Sequence, residues 1–171
     1  SMCFASPSER MKFFTRLSGE IGKRGVVDVL RKGYKFNGNT FDLYYPLPSQ
    51  LNQGAKAAYK QNIFGVIRQV RYSTQNTNEI DFVVFINGLP LATFELKNNY
   101  TGQTYENAIK QYQTERDSKD LLLQKKRCAV HFAVDDQQVW MCTALAGKDS
   151  WFLPFNRGVN GGAGNPVVEK D

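Results

Sequence analysis

The segment EIDFVVFINGLPLATFELKN, residues 79–98, constrains the fold more than any other part of the chain. Phe82, Val83, Val84, Phe85 and Ile86 form an unbroken apolar run, which reads as a strand covered on both faces. Asn87 and Gly88 are the turn residues of a hairpin. The return strand then alternates Phe94 and Leu96 with Glu95 and Lys97. A covered sheet therefore carries a carboxylate and an ammonium, both expected to be half buried, and buried charge needs compensation.

The connection decides which carboxylates share a face. With a two-residue loop, Ile86 faces Leu89 and Asp81 faces Phe94, so Asp81 and Glu95 point to opposite sides of the sheet. With an odd loop, such as a type I turn ending in a bulge with Gly88 left-handed, Asp81 falls on the face of Glu95 and Lys97. Pro90 cannot donate to a ladder and disfavours a regular one here. With the odd loop, two neighbouring carboxylates repel and raise each other's pKa unless a cation sits between them. Mg²⁺ suits such a place, being a hard ion that takes oxygen ligands and keeps waters through which phosphates are engaged. Lys97 would then orient a bound water or stabilise charge growing on a phosphate, which makes phosphodiester hydrolysis the matching chemistry. The same three residues also read as a salt-bridge ladder across two strands, and spacing alone favours that second reading.

The 171 residues suit one domain with a proper core. A hydrophobic fraction of 42% and a charged fraction of 22% exclude wholesale disorder. No run approaches the roughly 20 apolar residues of a membrane span, and SMCFASPSER lacks a basic region followed by an apolar one, so a soluble, cytoplasmic chain is expected. A net charge of +6 suits a polyanion partner, because neutralising phosphates releases counterions. Cys3, Cys128 and Cys142 lack CxxC spacing and read as reduced, mostly buried thiols. His131, in the apolar stretch CAVHFAV, reads as a packed strand histidine.

Along the chain, residues 9–32 show helical spacing interrupted by glycines, and one or two short helices are expected. GYKFNGNTFDLYYPLP follows as a loop or small hairpin, and Ser49 is a plausible cap for a helix through QLNQGAKAAYKQN. Residues 63–73 read as a long strand. After the charged hairpin, Thr104 caps a helix expected through YENAIKQYQTERDSKDLLLQ, and CAVHFAV and QVWMCTAL are further strands. Helix, three meandering strands, crossover helix and more strand give an α+β or mixed α/β fold with a central sheet. From Gly158 the composition turns glycine-rich, as in a linker or a segment that docks on a partner.

Asp81, followed after fourteen residues by FELK, resembles the PD-(D/E)xK nucleases, and FVVFINGLPLATFELKN is similar in wording to the restriction subunit of type I restriction–modification enzymes. The resemblance continues through NAIKQYQTERD, HFAVDD and FLPFNRGVNGGAGNP, covering residues 60–166. It implies a restriction-endonuclease-like mixed sheet flanked by helices. A nuclease domain would occupy residues 1–157, its helical part about 9–61 and its catalytic sheet and helix about 62–157, with residues 158–171 a linker toward a translocase.

The likeness further implies Asp81 and Glu95 as Mg²⁺ ligands, helped by the backbone carbonyl of Leu96, with Lys97 as the catalytic lysine. Gln111 answers to the first residue of the family's Q-x-x-x-Y element, whereas Glu115 stands where tyrosine is expected. Ile80 replaces the family's proline before the aspartate. Glu20 is a candidate for a further acidic residue, without a motif to place it. The implied activity is that of an Mg²⁺-dependent DNA endonuclease domain without sequence specificity of its own. Its implied partners are double-stranded DNA and the methyltransferase and specificity subunits, and ATP would serve only the full-length protein. No G-x-x-x-x-G-K-[ST] occurs here. The competing reading is a non-catalytic nucleic-acid-binding or subunit-docking module on a degenerate nuclease fold.

Overall fold

A computed structural model describes residues 4, 6–49 and 52–155 of the chain. Helix α1 spans Pro7–Arg24. Ser6 caps it by accepting from the Glu9 amide at 3.1 Å, and Phe13, Leu17 and Ile21, four apart, form its buried stripe. Gly25 takes φ 93° and turns the chain into α2, Val26–Lys32. A small hairpin of β1 (Tyr34–Phe36) and β2 (Asn39–Phe41) follows. Between α2 and β1, Gly33 has φ 61°, and a Cβ there would stand 2.2 Å from the Phe41 carbonyl oxygen. Helix α3, Gln53–Tyr59, buries no residue and is capped by Asn52 rather than Ser49.

The main sheet contains β3 (Phe64–Arg71), β4 (Glu79–Ile86), β5 (Leu89–Leu96), β6 (Val130–Val134), β7 (Val139–Cys142) and β8 (Leu153–Pro154), side by side in that order. Only β5 and β6 run parallel, since the connection between them carries a crossover helix, α4 (Tyr105–Thr114). The architecture is thus a mixed sheet with helices packed against it, as the alternation of elements predicts. One core lies under α4, where Ile80, Val83, Tyr112, Leu123 and Ala133 are fully buried. A second core, around Phe13 and Val29, packs α1, α2 and the small hairpin onto the turn end of the sheet at Ile86, Leu89 and Leu91. Among the described residues no helix is long and apolar enough to cross a membrane.

The hairpin differs from expectation in an informative way. Its connection is not odd: Ile86 faces Leu89 across a two-residue loop, with Asn87 at φ 50° and Gly88 at φ 81°. The extra residue lies in the strand instead, because Phe85 faces Pro90 whereas Val84 faces Ala92, leaving Leu91 as a bulge. Pro90 has no amide hydrogen to offer the ladder, and the Leu91 carbonyl accepts from the Ala129 amide at 2.8 Å. Asn87 is held by its own bonds, donating to the Leu43 carbonyl at 2.7 Å and accepting from the Ile63 amide at 2.6 Å.

Helix α4 also stops earlier than its leucines predict. After Thr114 the chain turns, with the Asp117 carboxylate accepting from the Lys119 amide at 2.8 Å, a local bond that competes with helix continuation. Leu122 and Leu123 still reach the core from these turns. His131 is 1% exposed and packed, its Nδ1 2.8 Å from the Thr93 hydroxyl, which also meets the Tyr112 hydroxyl at 2.8 Å. Cys128 and Cys142 are buried free thiols; Cys3 and the glycine-rich residues from Gly158 lie outside the described residues.

Candidate functional site

Strand β5 is central, flanked by β4 and β6, so its last turn of alternation carries charge into the interior. Glu95 faces Ala133 of β6 and is wholly buried, deeper than the half-burial predicted for it. The register that sets Phe82 against Phe94 brings Asp81 level with Glu95 at the open end of β4. Asp81 is half-exposed, and its Oδ2 accepts from the Leu96 amide at 2.7 Å. Lys97 follows immediately, its amide donating to the Val134 carbonyl at 2.8 Å.

A residue that sequence reasoning missed sits at the centre of this arrangement. Arg116, just beyond α4, donates from Nε to Glu95 Oε1 at 2.6 Å and from Nη2 to the Glu79 carbonyl at 2.8 Å. Its guanidinium lies 5.9 Å from the Tyr72 ring centroid. The sequence held one clue: a buried acid on β5 requires a cation, and Arg116 is the first arginine after the covering helix. Among the described residues neither Asp81 nor Lys97 joins an ion pair, so the ladder of Asp81, Glu95 and Lys97 does not form.

Glu95 Oε2 is buried and has no hydrogen-bond partner. Burial pushes the Glu95 carboxyl up to about 7, and the Asp81 charge adds to the rise, while Arg116 and Lys97 oppose it. Beside it, Lys97 and Gln111 line a polar cleft of about 350 Å³ together with Gln103, Asn107, Lys110 and Glu115. Thr104 and Asn107 form a capping box that starts α4, and the four-residue step from Asn107 to Gln111 keeps both on the cleft side. Gln111 Oε1 is likewise buried without a partner.

The structure therefore gathers Asp81, Glu95, Lys97 and Gln111 around the end of β5. Glu20 has other partners: it faces Arg16 and Arg24 at 3.6 Å each, from α1. Glu115 lines the cleft from an exposed position. Among the described residues no three His, Cys, Asp or Glu side chains cluster as a metal site. The donor set is two carboxylates with amide and carbonyl oxygens. Unpartnered buried oxygens on Glu95 and Gln111 fit a hard cation, which takes oxygen ligands and completes its shell with water.

No curated protein and no solved structure matches the chain. The family model of the type I restriction enzyme R protein N terminus matches residues 30–150, well over half of the chain and including Asp81, Glu95, Lys97, Gln111 and Arg116, and the chain belongs to that family.

Proposed function

We propose that the chain is an Mg²⁺-dependent DNA endonuclease domain, hydrolysing phosphodiester bonds without sequence specificity of its own. The observation that carries the reading is the unpartnered, buried Oε2 of Glu95, a residue level with Asp81 and two positions before Lys97 of the cleft. A buried acceptor left bare costs about 1–3 kcal/mol, so its retention calls for a function. Asp81, Glu95 and the Leu96 carbonyl would hold the ion, with Gln111 in support. A bound Mg²⁺ supplies Lewis-acid polarisation of the phosphate and lowers the pKa of water.

The chain's own residues do the rest. Arg116 holds Glu95 by one oxygen and leaves the other without a hydrogen-bond partner. Lys97 presents an ammonium where negative charge grows on the phosphate and where an attacking water must be oriented. Gln111 and Asn107 offer amides to the backbone of the strand in the cleft. Sequence recognition would belong to the specificity subunit of the complete enzyme, and a methyltransferase subunit and an ATP-driven translocase would complete the assembly.

The deciding experiment places Asp81→Ala and Lys97→Ala in the complete complex. DNA cleavage collapses in both, while assembly and DNA-stimulated ATP hydrolysis survive. Cleavage persisting in both variants would leave the domain as a docking module on a degenerate fold.

A further inference from the structure

A second charged surface lies at the other end of the sheet. The Ala129 amide, which donates to the Leu91 carbonyl, marks the start of β6, five residues back along β5 from Leu96. At about 3.3 Å per residue, the four residues from Leu91 to Glu95 put that end roughly 13 Å from the carboxylates. A groove of about 740 Å³ opens there, between α2, the turn at Lys125 and Lys126, and the segment after β7 at Thr143 and Ala144. Its lining carries the cations Arg24, Arg31, Lys32, Lys125 and Lys126.

The charge balance of this groove is what marks it out. Asp28 is the sole carboxylate in the lining, and it is already engaged twice, by Arg24 Nε at 2.6 Å and Lys32 Nζ at 2.6 Å. Arg31 and Lys125 have neither an ion pair nor a side-chain hydrogen bond among the described residues. Lys126 is anchored through both backbone and side chain: its carbonyl accepts from the Val26 amide at 2.9 Å, and its ammonium donates to the Lys23 carbonyl at 2.5 Å. Two stretches far apart in sequence are thereby stapled so that their cations line one groove. Val26, Ala129 and Ala144 give the groove apolar walls, and a cleft whose lining charges are mostly of one sign, with such walls, focuses its field.

We propose that this groove is a second nucleic-acid contact, gripping the phosphate backbone of duplex DNA apart from the place of cleavage. The ligand must be a polyanion with repeated charges, since the cations are spread along an open groove rather than converging on one buried point. That the polyanion is duplex DNA rests on the nuclease reading; the grip itself rests on the groove. Phosphate contacts of this kind position a protein without reading sequence, which fits a domain whose target is chosen elsewhere.

The test uses the 171-residue chain with a short labelled duplex of arbitrary sequence, binding being followed by anisotropy across a KCl series. The groove pair Arg31→Glu with Lys125→Glu is compared with a control pair of equal charge change, Lys60→Glu with Lys148→Glu. Thermal unfolding checks that each variant is folded, and Arg31→Gln with Lys125→Gln replaces the reversal should it fail to fold. The groove variant binds at least about tenfold more weakly than the control, and its slope of log K against log[KCl] shrinks by about two, near 0.9 per lost phosphate contact. Equal loss in both pairs, or an unchanged slope, overturns the proposal. So does loss of polyglutamate binding with duplex binding retained, which would point to an acidic protein segment. Cleavage in the complete complex carrying Lys97→Ala reports on the other site, so the two readings fail separately.

Discussion

Arg116 Nε donates to Glu95 Oε1 at 2.6 Å, joining the residue two past the end of α4 to the penultimate residue of β5. The side chains are 5% and 0% exposed, so neither charge has water as an alternative partner. The pair explains how an acid can be kept in the middle of a covered sheet. It also ties the turn after α4 to the strand end where the other candidate residues gather.

Arg116→Met removes the cation and leaves Glu95 buried alone. Breaking one side of a buried pair costs about 3–5 kcal/mol, so urea unfolding of the variant is expected to lose about 3 kcal/mol. Adding Glu95→Gln should recover part of that loss. A loss under about 1 kcal/mol, the range of exposed pairs, would mean that the pair contributes little.

The pH dependence of stability follows from two buried groups that oppose each other. In metal-free protein, burial raises Glu95 from 4.5 to about 7, so its contribution is full below 4.5 and lost as pH rises through about 7. Burial lowers His131 from 6.5 to about 4, so its contribution is full above 6.5 and lost as pH falls through about 4. Between about 4.5 and 6.5 the two slopes cancel. Glu95→Gln should therefore expose a rise in unfolding free energy with pH of about 1.4 kcal/mol per unit, and His131→Gln the reverse. Flat profiles in both variants would contradict these ionisations.

Metal titration probes the oxygen cluster directly. Calorimetry with Mn²⁺ or Mg²⁺ should give weak binding, because Mg²⁺ gives up its waters reluctantly and substrate phosphates complete its shell. Glu95→Ala should abolish the heat. Binding should also be tighter at pH 8 than at pH 6, since the raised Glu95 carboxyl must release its proton to become a ligand. Unaltered binding in Glu95→Ala would remove this residue from the ligand set.

Gly33→Ala tests the packing of the N-terminal layer. At φ 61°, with the Phe41 carbonyl oxygen 2.2 Å from the added Cβ, the backbone must shift, and a loss on the order of 2 kcal/mol or more is expected in thermal or urea unfolding. An effect below about 0.5 kcal/mol, typical of neutral surface changes, would show that the small hairpin moves freely against α2.

Much of the fold was legible because its signals are local. The apolar run of β4, the Asn87–Gly88 turn and the alternation through Glu95 and Lys97 placed the hairpin, and Thr104 marked the start of α4. The end of α4 is not legible in the sequence because the leucines at 121–123 suggest helical periodicity, while Asp117 and Arg116 divert the chain through their own bonds. Ser49 lost the cap of α3 to Asn52, a residue of equal propensity closer to the helix. In the candidate site, Asp81, Glu95, Lys97 and Gln111 could be named from pattern and resemblance, but Arg116 could not.

What the amino-acid order determined alone is which residues alternate along β5 and where the chain can reverse, since both depend on neighbours a few positions apart. Only the tertiary structure decided that Leu91 absorbs the extra residue, that Glu95 takes its cation from beyond α4, and that α2 meets Lys125 and Lys126 around one groove. Those outcomes depend on hydrogen bonds and charges between segments distant in sequence, such as Ala129 to Leu91 and Lys126 to Val26, whose geometry no local pattern encodes.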